Sequence, residues 1–370
     1  MRIQKLHIQN YKSLVDFHLE NVPQFCAFVG PNASGKSNIF EALEFMNYYY
    51  RYNSAAIGLF GSEASFFSFK PRPSNSLIIH INDNPVHSVL FEVDFKSNIK
   101  FHFSLHLNEI NKSIVAFASP NEDGFNSKNF EKGFVLNKGF LDQETRKKSI
   151  EKWVESNNIY EDEYEVFFDK FSRIFIGKQD LKKIPTSTNR LTFDASNLPQ
   201  ILNQIFQNKD SRIDFIEWLR ILIPEFQDIE VKQSNIDGTH DFFIFEKGST
   251  KPFPRHLLSD GTKNILALMA AVYQTNHPQF LCFEEPENGL HPQAIHLLVD
   301  FFREKCEEEG HHIWLNTHSQ SLVRCLEIDE IVTVNKINGE TQARQFALKE
   351  SFGMKMDEAW LTNALGGGVL

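Results

Sequence analysis

The stretch Phe25-Cys26-Ala27-Phe28-Val29-Gly30-Pro31-Asn32-Ala33-Ser34-Gly35-Lys36-Ser37-Asn38 combines an apolar run, a glycine-containing loop and a helix start. Its residues Gly30, Gly35, Lys36 and Ser37 fill the spacing G-x-x-x-x-G-K-[ST] of a phosphate-binding loop. Glycine lets such a loop curl until backbone N–H groups converge on an anion, and the positive end of the following helix adds to the attraction. Residues 30–38 are therefore predicted to bind nucleotide, with Lys36 on the β- and γ-phosphates and Ser37 on Mg²⁺. An ordinary glycine-rich turn is the alternative.

The composition is that of a globular protein without membrane spans. The 370 residues are 41% hydrophobic and include 36 phenylalanines, which predicts a large aromatic core in one large domain or two modest ones. No apolar run approaches the ~20 residues of a spanning helix. The four cysteines are scattered without a C-x-x-C motif, which favours free thiols in a reducing cytoplasm.

The net charge of −10 argues against non-specific coating of nucleic acid. Two local basic groups leave a nucleic-acid partner open: Lys178 with Lys182-Lys183, and Arg146-Lys147-Lys148. A solvated helix face is the simpler interpretation of both groups.

Periodicity predicts alternating strands and helices along the chain. Strands are predicted at residues 3–8, 15–19, 25–29, 77–81, 89–95, 100–107, 173–176, 229–231, 242–245, 280–283, 312–315, 331–335 and 341–346. Helices are predicted after Gly35, at 143–156 and 161–171, from Leu198, from a cap at Ser211 to Pro224, and at 262–274, 293–305 and 320–325. Asn338-Gly339 is the strongest hairpin signal.

A second chemical motif follows the apolar run Phe280-Leu281-Cys282-Phe283, which ends in Glu284-Glu285-Pro286. Ligands of open α/β sheets bind at the carboxyl ends of the strands, where these two acids are expected. Glu284 is predicted to hold Mg²⁺, and Glu285 to orient or deprotonate the attacking water. An exposed strand end without chemistry is the alternative.

Four stretches together resemble the ABC-type ATPase heads of the RecF/SMC/OLD-like AAA family. They are Leu258-Ser259-Asp260-Gly261-Thr262, similar to the ABC signature; Glu284-Glu285-Pro286-Glu287-Asn288-Gly289-Leu290-His291-Pro292; Thr317-His318-Ser319, similar to the switch histidine; and Asn10-Tyr11-Lys12-Ser13, similar to the N-F-K-S opening. The resemblance covers about residues 1–47 and 250–335. One departure is Glu284, where an aspartate is usual, and the glutamine of the family's Q-loop could not be assigned.

The resemblance implies an α/β fold, namely a P-loop ABC-type ATPase head with a mixed β-sheet lobe and a helical insertion. Residues 1–54 and 251–370 would form the head, and residues 55–250 an insertion of strands and helices. Lys12 would join the nucleotide site, Glu285 and His318 would be catalytic, and ATP and Mg²⁺ would be bound. Two heads would sandwich ATP, with residues 258–262 of one subunit acting in trans on the other. A plain helix cap is the alternative for Ser259.

The same resemblance narrows the biological role. The span between Ser37 and Leu258 is too short for the long coiled coils of SMC proteins, and no acidic nuclease cluster of the TOPRIM type follows His318. We therefore expect a cytoplasmic sensor or switch ATPase of an anti-phage system, with a nuclease or toxin as a separate effector protein. The alternatives are a RecF-like repair ATPase that binds duplex DNA and a nucleotide-gated scaffold with negligible turnover.

Overall fold

The computed structural model describes residues 3–52, 56, 59–60, 87–95, 100–107, 116–118, 134–136, 170–179, 189–234, 238–347 and 353–366. The chain divides into two compact units, each assembled from separate segments. The first unit comprises Met1–Pro23, Gly30–Asp169 and Val332–Gln345, and the second comprises Gln24–Val29, Lys170–Ile331 and Phe346–Leu370.

The described residues form both strands and helices, as the hydrophobic pattern predicts. The described strands are β1 (Ile3–Tyr11), β2 (Leu14–Val22), β3 (Phe25–Val29), β4 (His87–Phe95), β5 (Lys100–Leu107), β6 (Ala116–Ala118), β7 (Phe134–Leu136), β8 (Phe171–Ile174), β9 (Phe226–Gln233), β10 (His240–Glu246), β11 (Phe253–Pro254), β12 (Phe280–Glu284), β13 (His312–Thr317), β14 (Ile331–Ile337) and β15 (Glu340–Gln345). The described helices are α1 (Lys36–Tyr52), α2 (Leu198–Ile205), α3 (Lys209–Leu222), α4 (Asp260–Tyr273), α5 (Pro292–Glu309), α6 (Gln320–Val323) and α7 (Met356–Leu361).

The first unit contains an antiparallel sheet in the order β2-β1-β4-β5. In β2 the residues alternate between buried apolar and exposed polar side chains, the pattern of a strand with one face in the core. Tyr11 of β1 and Phe45 of α1 are both buried and lie 5.8 Å apart between ring centroids, which places this helix against the sheet. Strands β14 and β15 form a hairpin whose turn residues Asn338 and Gly339 both have positive φ, as a two-residue type I′ turn requires.

The second unit is built on parallel strands in the order β3-β13-β12-β8. Every residue of β3, β12 and β13 is buried, as expected for parallel strands that are covered on both faces. Helix α5 packs on this sheet through Phe302, whose ring stacks on Phe283 at 5.2 Å. The antiparallel strands β11-β10-β9 form a separate sheet in the same unit.

The structure confirms most of the predicted elements within the described residues. Ser211 is not the cap of α3, because the Asn208 side chain accepts hydrogen bonds from the amides of Asp210 and Ser211 and starts the helix earlier. The helix predicted at 161–171 cannot include Phe171, which begins β8. Residues 161–169 of that helix, the strand at 77–81 and the helix at 143–156 lie outside the described residues.

The cysteines are free thiols as predicted, and Cys26 and Cys282 are buried. Burial raises the pKa of the Cys26 thiol well above its usual value, so this side chain packs as a neutral apolar group. Among the described residues, no helix has the length and apolar character that a membrane span requires.

Candidate functional site

The phosphate-binding loop lies in the first unit and has a curled backbone. Ala33 (φ 65°) and Gly35 (φ 102°) have left-handed backbone conformations, and the amide of Ser34 donates to the carbonyl of Pro31. The side chain of Lys36 is buried and donates to the carbonyl oxygens of Gly30 (2.7 Å) and Pro31 (2.9 Å). The Lys36 ammonium group therefore lies inside the curl of the loop, where it would meet the phosphates of a nucleotide.

The glycines of this loop are required by close packing against the β14–β15 hairpin. A Cβ atom on Gly30 would lie 2.2 Å from the carbonyl oxygen of Val334, and one on Gly35 would lie 1.9 Å from Thr341 Oγ1. Both distances are far below a permitted contact. These positions therefore depend on glycine for space, and Gly35 also for its positive φ.

Hydrogen bonds between polar side chains support the loop. The Thr341 hydroxyl donates to the carbonyl of Ser34 at 3.0 Å and lies 2.6 Å from the hydroxyl of Ser13. Asn38 donates from its side chain to the same Ser13 hydroxyl at 2.7 Å. The predicted nucleotide residue Lys12 has φ 48° and donates to Glu41 Oε1 at 2.6 Å. Lys12 and Ser13 of the N-terminal motif therefore contact α1, which begins where the loop ends.

The carboxylate of Glu284 in the second unit is almost enclosed. It ends β12, with a side chain that is 1% exposed, and Arg173 of β8, 7% exposed, donates to its Oε1 from Nε (2.9 Å) and Nη2 (2.6 Å). Asn316 of β13 donates to the other carboxylate oxygen. Glu284 therefore joins three neighbouring parallel strands at their carboxyl ends.

The next residue, Glu285, has an uncommon backbone conformation. Its φ is 48°, its amide donates to the carbonyl of Asn316 at 2.8 Å, and its carbonyl accepts from the amide of Asn288 at 3.1 Å. The carboxylate accepts from Asn288 Nδ2 at 2.9 Å, and its other oxygen lies 3.5 Å from His318 Nδ1. Non-glycine residues adopt a positive φ only at a cost, so the turn is held by its surroundings in a way that is common at active sites. The structure thus brings together the two predicted catalytic residues.

Glu287 is a second buried acid of the same segment. It is 7% exposed, and the hydroxyl of Thr317, next to His318, donates to its Oε1. Burial raises the pKa of the Glu287 carboxyl to about 7, although the hydrogen bond from Thr317 lowers it. The sequence motif contained this residue but gave no sign that it would be buried. Its contact fixes the turn that carries His318.

The signature residues form the start of α4. Ser259 is the N-cap and accepts a hydrogen bond from the amide of Thr262 at 3.1 Å, so the helix-cap interpretation is correct for the isolated chain. Leu258 is buried, whereas Ser259 and Asp260 are exposed and remain accessible to a ligand. A Cβ on Gly261 would lie 2.4 Å from the carbonyl oxygen of Gly289.

Hydrogen bonds connect helix α4 to the segment that follows Glu285. The side chain of Asn264 donates to the carbonyls of Pro286 (2.9 Å) and Asn288 (2.8 Å). A cavity of about 630 Å³ lies beside this junction, and its lining includes Asp260, Lys263 and Glu285. The Glu285 carboxylate therefore faces open space within the second unit, large enough for a small ligand.

The donor atoms suit magnesium, which prefers oxygen ligands and retains several of its waters. Ser37 offers an exposed hydroxyl in the first turn of α1. Both oxygens of Glu284 already accept N–H groups, so this carboxylate fits a contact through metal-bound water better than direct ligation. The strand β8 runs parallel beside β12 and is followed after a short turn by Gln179, whose side chain is exposed.

Comparisons with known proteins support this interpretation of the fold. The family model described as "AAA domain, putative AbiEii toxin, Type IV TA system" matches residues 25–324. A comparison with curated proteins found no match. The chain is similar to the crystal structure of the Smc head domain with an extended coiled coil, bound to the C-terminal domain of ScpA and derived from Pyrococcus furiosus. The two sequences are 13% identical, the TM-score is 0.54, and the match covers 94% of this chain and 97% of that chain. A second structure, the SmcHead bound to the C-winged helix domain of ScpA, is 15% identical with a TM-score of 0.52, over 95% and 99%. At these identities the likeness shows a shared fold.

Proposed function

The chain belongs to the AAA-domain family whose model it matches, and we propose that it is the ATP-hydrolysing head of a bacterial defence system that works with a separate effector protein. ATP would bind through the loop at residues 30–38, because its buried lysine and the start of α1 supply positive charge at the place where the phosphates would lie. Lys12 and Gln179 would complete the contacts on the nucleotide side.

Magnesium would be held by the hydroxyl of Ser37 and, through water, by Glu284. When bound, the ion would neutralise charge on the β- and γ-phosphate oxygens. The proposal requires the loop and the acids of β12 to act on one nucleotide.

The observation that carries the proposal is the arrangement of Glu285. Its carboxylate is oriented by Asn288, lies 3.5 Å from His318 and lines an open cavity. A carboxylate in this position can accept a proton from an attacking water, while His318 can donate a hydrogen bond to the γ-phosphate. The strained turn at Glu285 holds the carboxylate in place before the substrate arrives.

The signature residues are proposed to complete the site in a second copy of the chain. Ser259 and Gly261 would contact the γ-phosphate from the partner head, together with the positive end of α4. In each head, the hydrogen bonds from Asn264 of α4 to Pro286 and Asn288 would then connect the signature, once it contacts the γ-phosphate, to the segment that follows Glu285.

The defence role is supported by the family description, which names a putative AbiEii toxin of a Type IV TA system. The effector is expected to be a second polypeptide whose effect on phage depends on ATP turnover by this head. Stimulation of turnover by duplex DNA, weakened steeply by salt, would instead favour the RecF-like alternative. Turnover that stays negligible in every condition would favour the scaffold.

The direct test is Glu285→Gln, measured by phosphate release and by ATP binding in calorimetry. Hydrolysis should fall by at least ~100-fold, because proton transfer and water orientation contribute that much, while ATP still binds. Glu308→Gln is the matched control, since Glu308 is an exposed acid of α5 in the same unit. Wild-type turnover by Glu285→Gln would exclude Glu285 as the catalytic carboxylate.

A further inference from the structure

Two histidines and an aspartate meet on the polar side of the β1–β2 hairpin, away from the residues used above. His7 of β1 is directly opposite His18 of β2, and Asp16 stands two residues before His18. Residues two apart on a strand share a face, so the three side chains project together. The imidazole rings stack at 3.8 Å between centroids.

The nitrogen and oxygen atoms of this group converge on one point. Nε2 of His7 and Nε2 of His18 each lie 2.9 Å from the same oxygen, Asp16 Oδ1. All three donor atoms lie within 4.8 Å of one another. In a tetrahedral zinc site with bonds of 2.0–2.2 Å, neighbouring ligand atoms stand about 3.3–3.5 Å apart. Each Nε2 atom therefore needs to move about half an ångström further from Asp16 Oδ1, with the rings tilted so that both Nε2 lone pairs face the ion.

Solvent reaches the group from one side only. The side chains of His18 and Asp16 are 46% and 31% exposed, whereas His7 is 11% exposed. An aspartate carboxylate is ionised at neutral pH, as a ligand must be.

We infer that His7, Asp16 and His18 form a binding site for one divalent transition-metal ion, bound through two imidazole nitrogens and one carboxylate oxygen. This donor set selects Zn²⁺, Co²⁺, Ni²⁺ or Cu²⁺ over Mg²⁺, which prefers oxygen ligands. The site is independent of the ATPase proposal, and the Mg²⁺ used with ATP does not compete for it. A bound ion crosslinks β1 to β2 on the hairpin whose turn carries Lys12 and Ser13.

The test uses the full chain without a histidine tag and Co²⁺ as a spectroscopic probe. Wild type should bind one Co²⁺ with visible d–d absorption, which stoichiometric Zn²⁺ abolishes and a hundredfold excess of Mg²⁺ leaves unchanged. His18→Ala and Asp16→Asn should each weaken Co²⁺ binding by at least ~100-fold, because losing a direct ligand costs more than the 10–100-fold caused by losing an outer contact.

Because the chain contains 14 histidines, a matched control is needed. His296→Ala removes an exposed histidine paired with Asp300 alone at 3.0 Å, and this variant should bind Co²⁺ like wild type. Far-UV circular dichroism checks that the variants fold, which the exposure of His18 and Asp16 favours. The inference is overturned if wild type binds no single Co²⁺, if Mg²⁺ displaces it, or if His18→Ala and Asp16→Asn bind it unchanged. In those cases the three residues are a hydrogen-bonded triad only.

Discussion

Replacing Arg173 with methionine should destabilise the parallel sheet of the second unit, because it removes the partner of an almost enclosed carboxylate. Both Arg173 donors act on one oxygen of Glu284, whose side chain is 1% exposed. Breaking such a buried pair from one side typically costs about 3–5 kcal/mol. We therefore expect Arg173→Met to lose about 3–5 kcal/mol of the free energy of unfolding.

The double variant Arg173→Met with Glu284→Met removes both charges and should recover most of the stability, since buried pairs are often replaceable by apolar side chains. Urea unfolding followed by tryptophan fluorescence measures this, because Trp314 lies in β13 beside β12.

The control is Arg255→Met. Arg255 pairs with Asp241 at 3.2 Å, but both side chains are about half exposed, so its loss should cost less than about 1 kcal/mol. A cost for Arg173→Met that equals the control, with no gain in the double variant, would refute the view that this pair holds the strand ends together.

Three further predictions concern the loop, the dimer and the buried acid. Gly35→Ala should abolish ATP binding in calorimetry, because its Cβ would overlap the side chain of Thr341; normal binding would contradict the described packing. Ser259→Arg should still bind ATP but lose ATP hydrolysis and, in light scattering, ATP-dependent self-association. Mixing this variant with Lys36→Ala should restore part of the ATPase activity. No recovery of ATPase activity in the mixture would count against action in trans. Burial raises the pKa of Glu287 to about 7 in the folded chain, so the free energy of unfolding should fall by roughly 2–4 kcal/mol as the pH rises from about 4.5 to 7. Glu287→Gln should remove this pH dependence in urea titrations. An unchanged pH dependence would assign it to other groups.

The sequence predicted those parts of the molecule in which chemistry and local geometry depend on nearby residues. The loop at residues 30–38, the acids that end β12 and the turn at Asn338 each carry a short pattern with a fixed spacing. Their positions on strands and helices followed from periodicity, and the structure places them there. The roles of Lys36, Glu285 and Ser259 stay predictions until the variants are measured.

Other features depend on partners that no local pattern identifies. Arg173 and Glu284 are 111 residues apart, and their contact follows from the pairing of β8 with β12. The cluster of His7 and His18 depends on the register of a hairpin, in which a slip of one residue would send the side chains to opposite faces. Asn208 started α3 before the expected cap because it is as good an N-cap as Ser211 and comes first.

The hydrogen bond from Thr341 to the phosphate loop has a consequence for the folding of the chain during translation. Thr341, whose hydroxyl reaches the carbonyl of Ser34, lies 307 residues after it in the chain. At 5–20 residues per second, a ribosome needs about 15–60 s to add those residues. During that interval the emerging chain already carries Lys36 but lacks the hairpin against which Gly30 and Gly35 pack. If residues 30–38 bind nucleotide as we propose, nascent chains should acquire that affinity late in translation, so that unfinished chains do not sequester ATP.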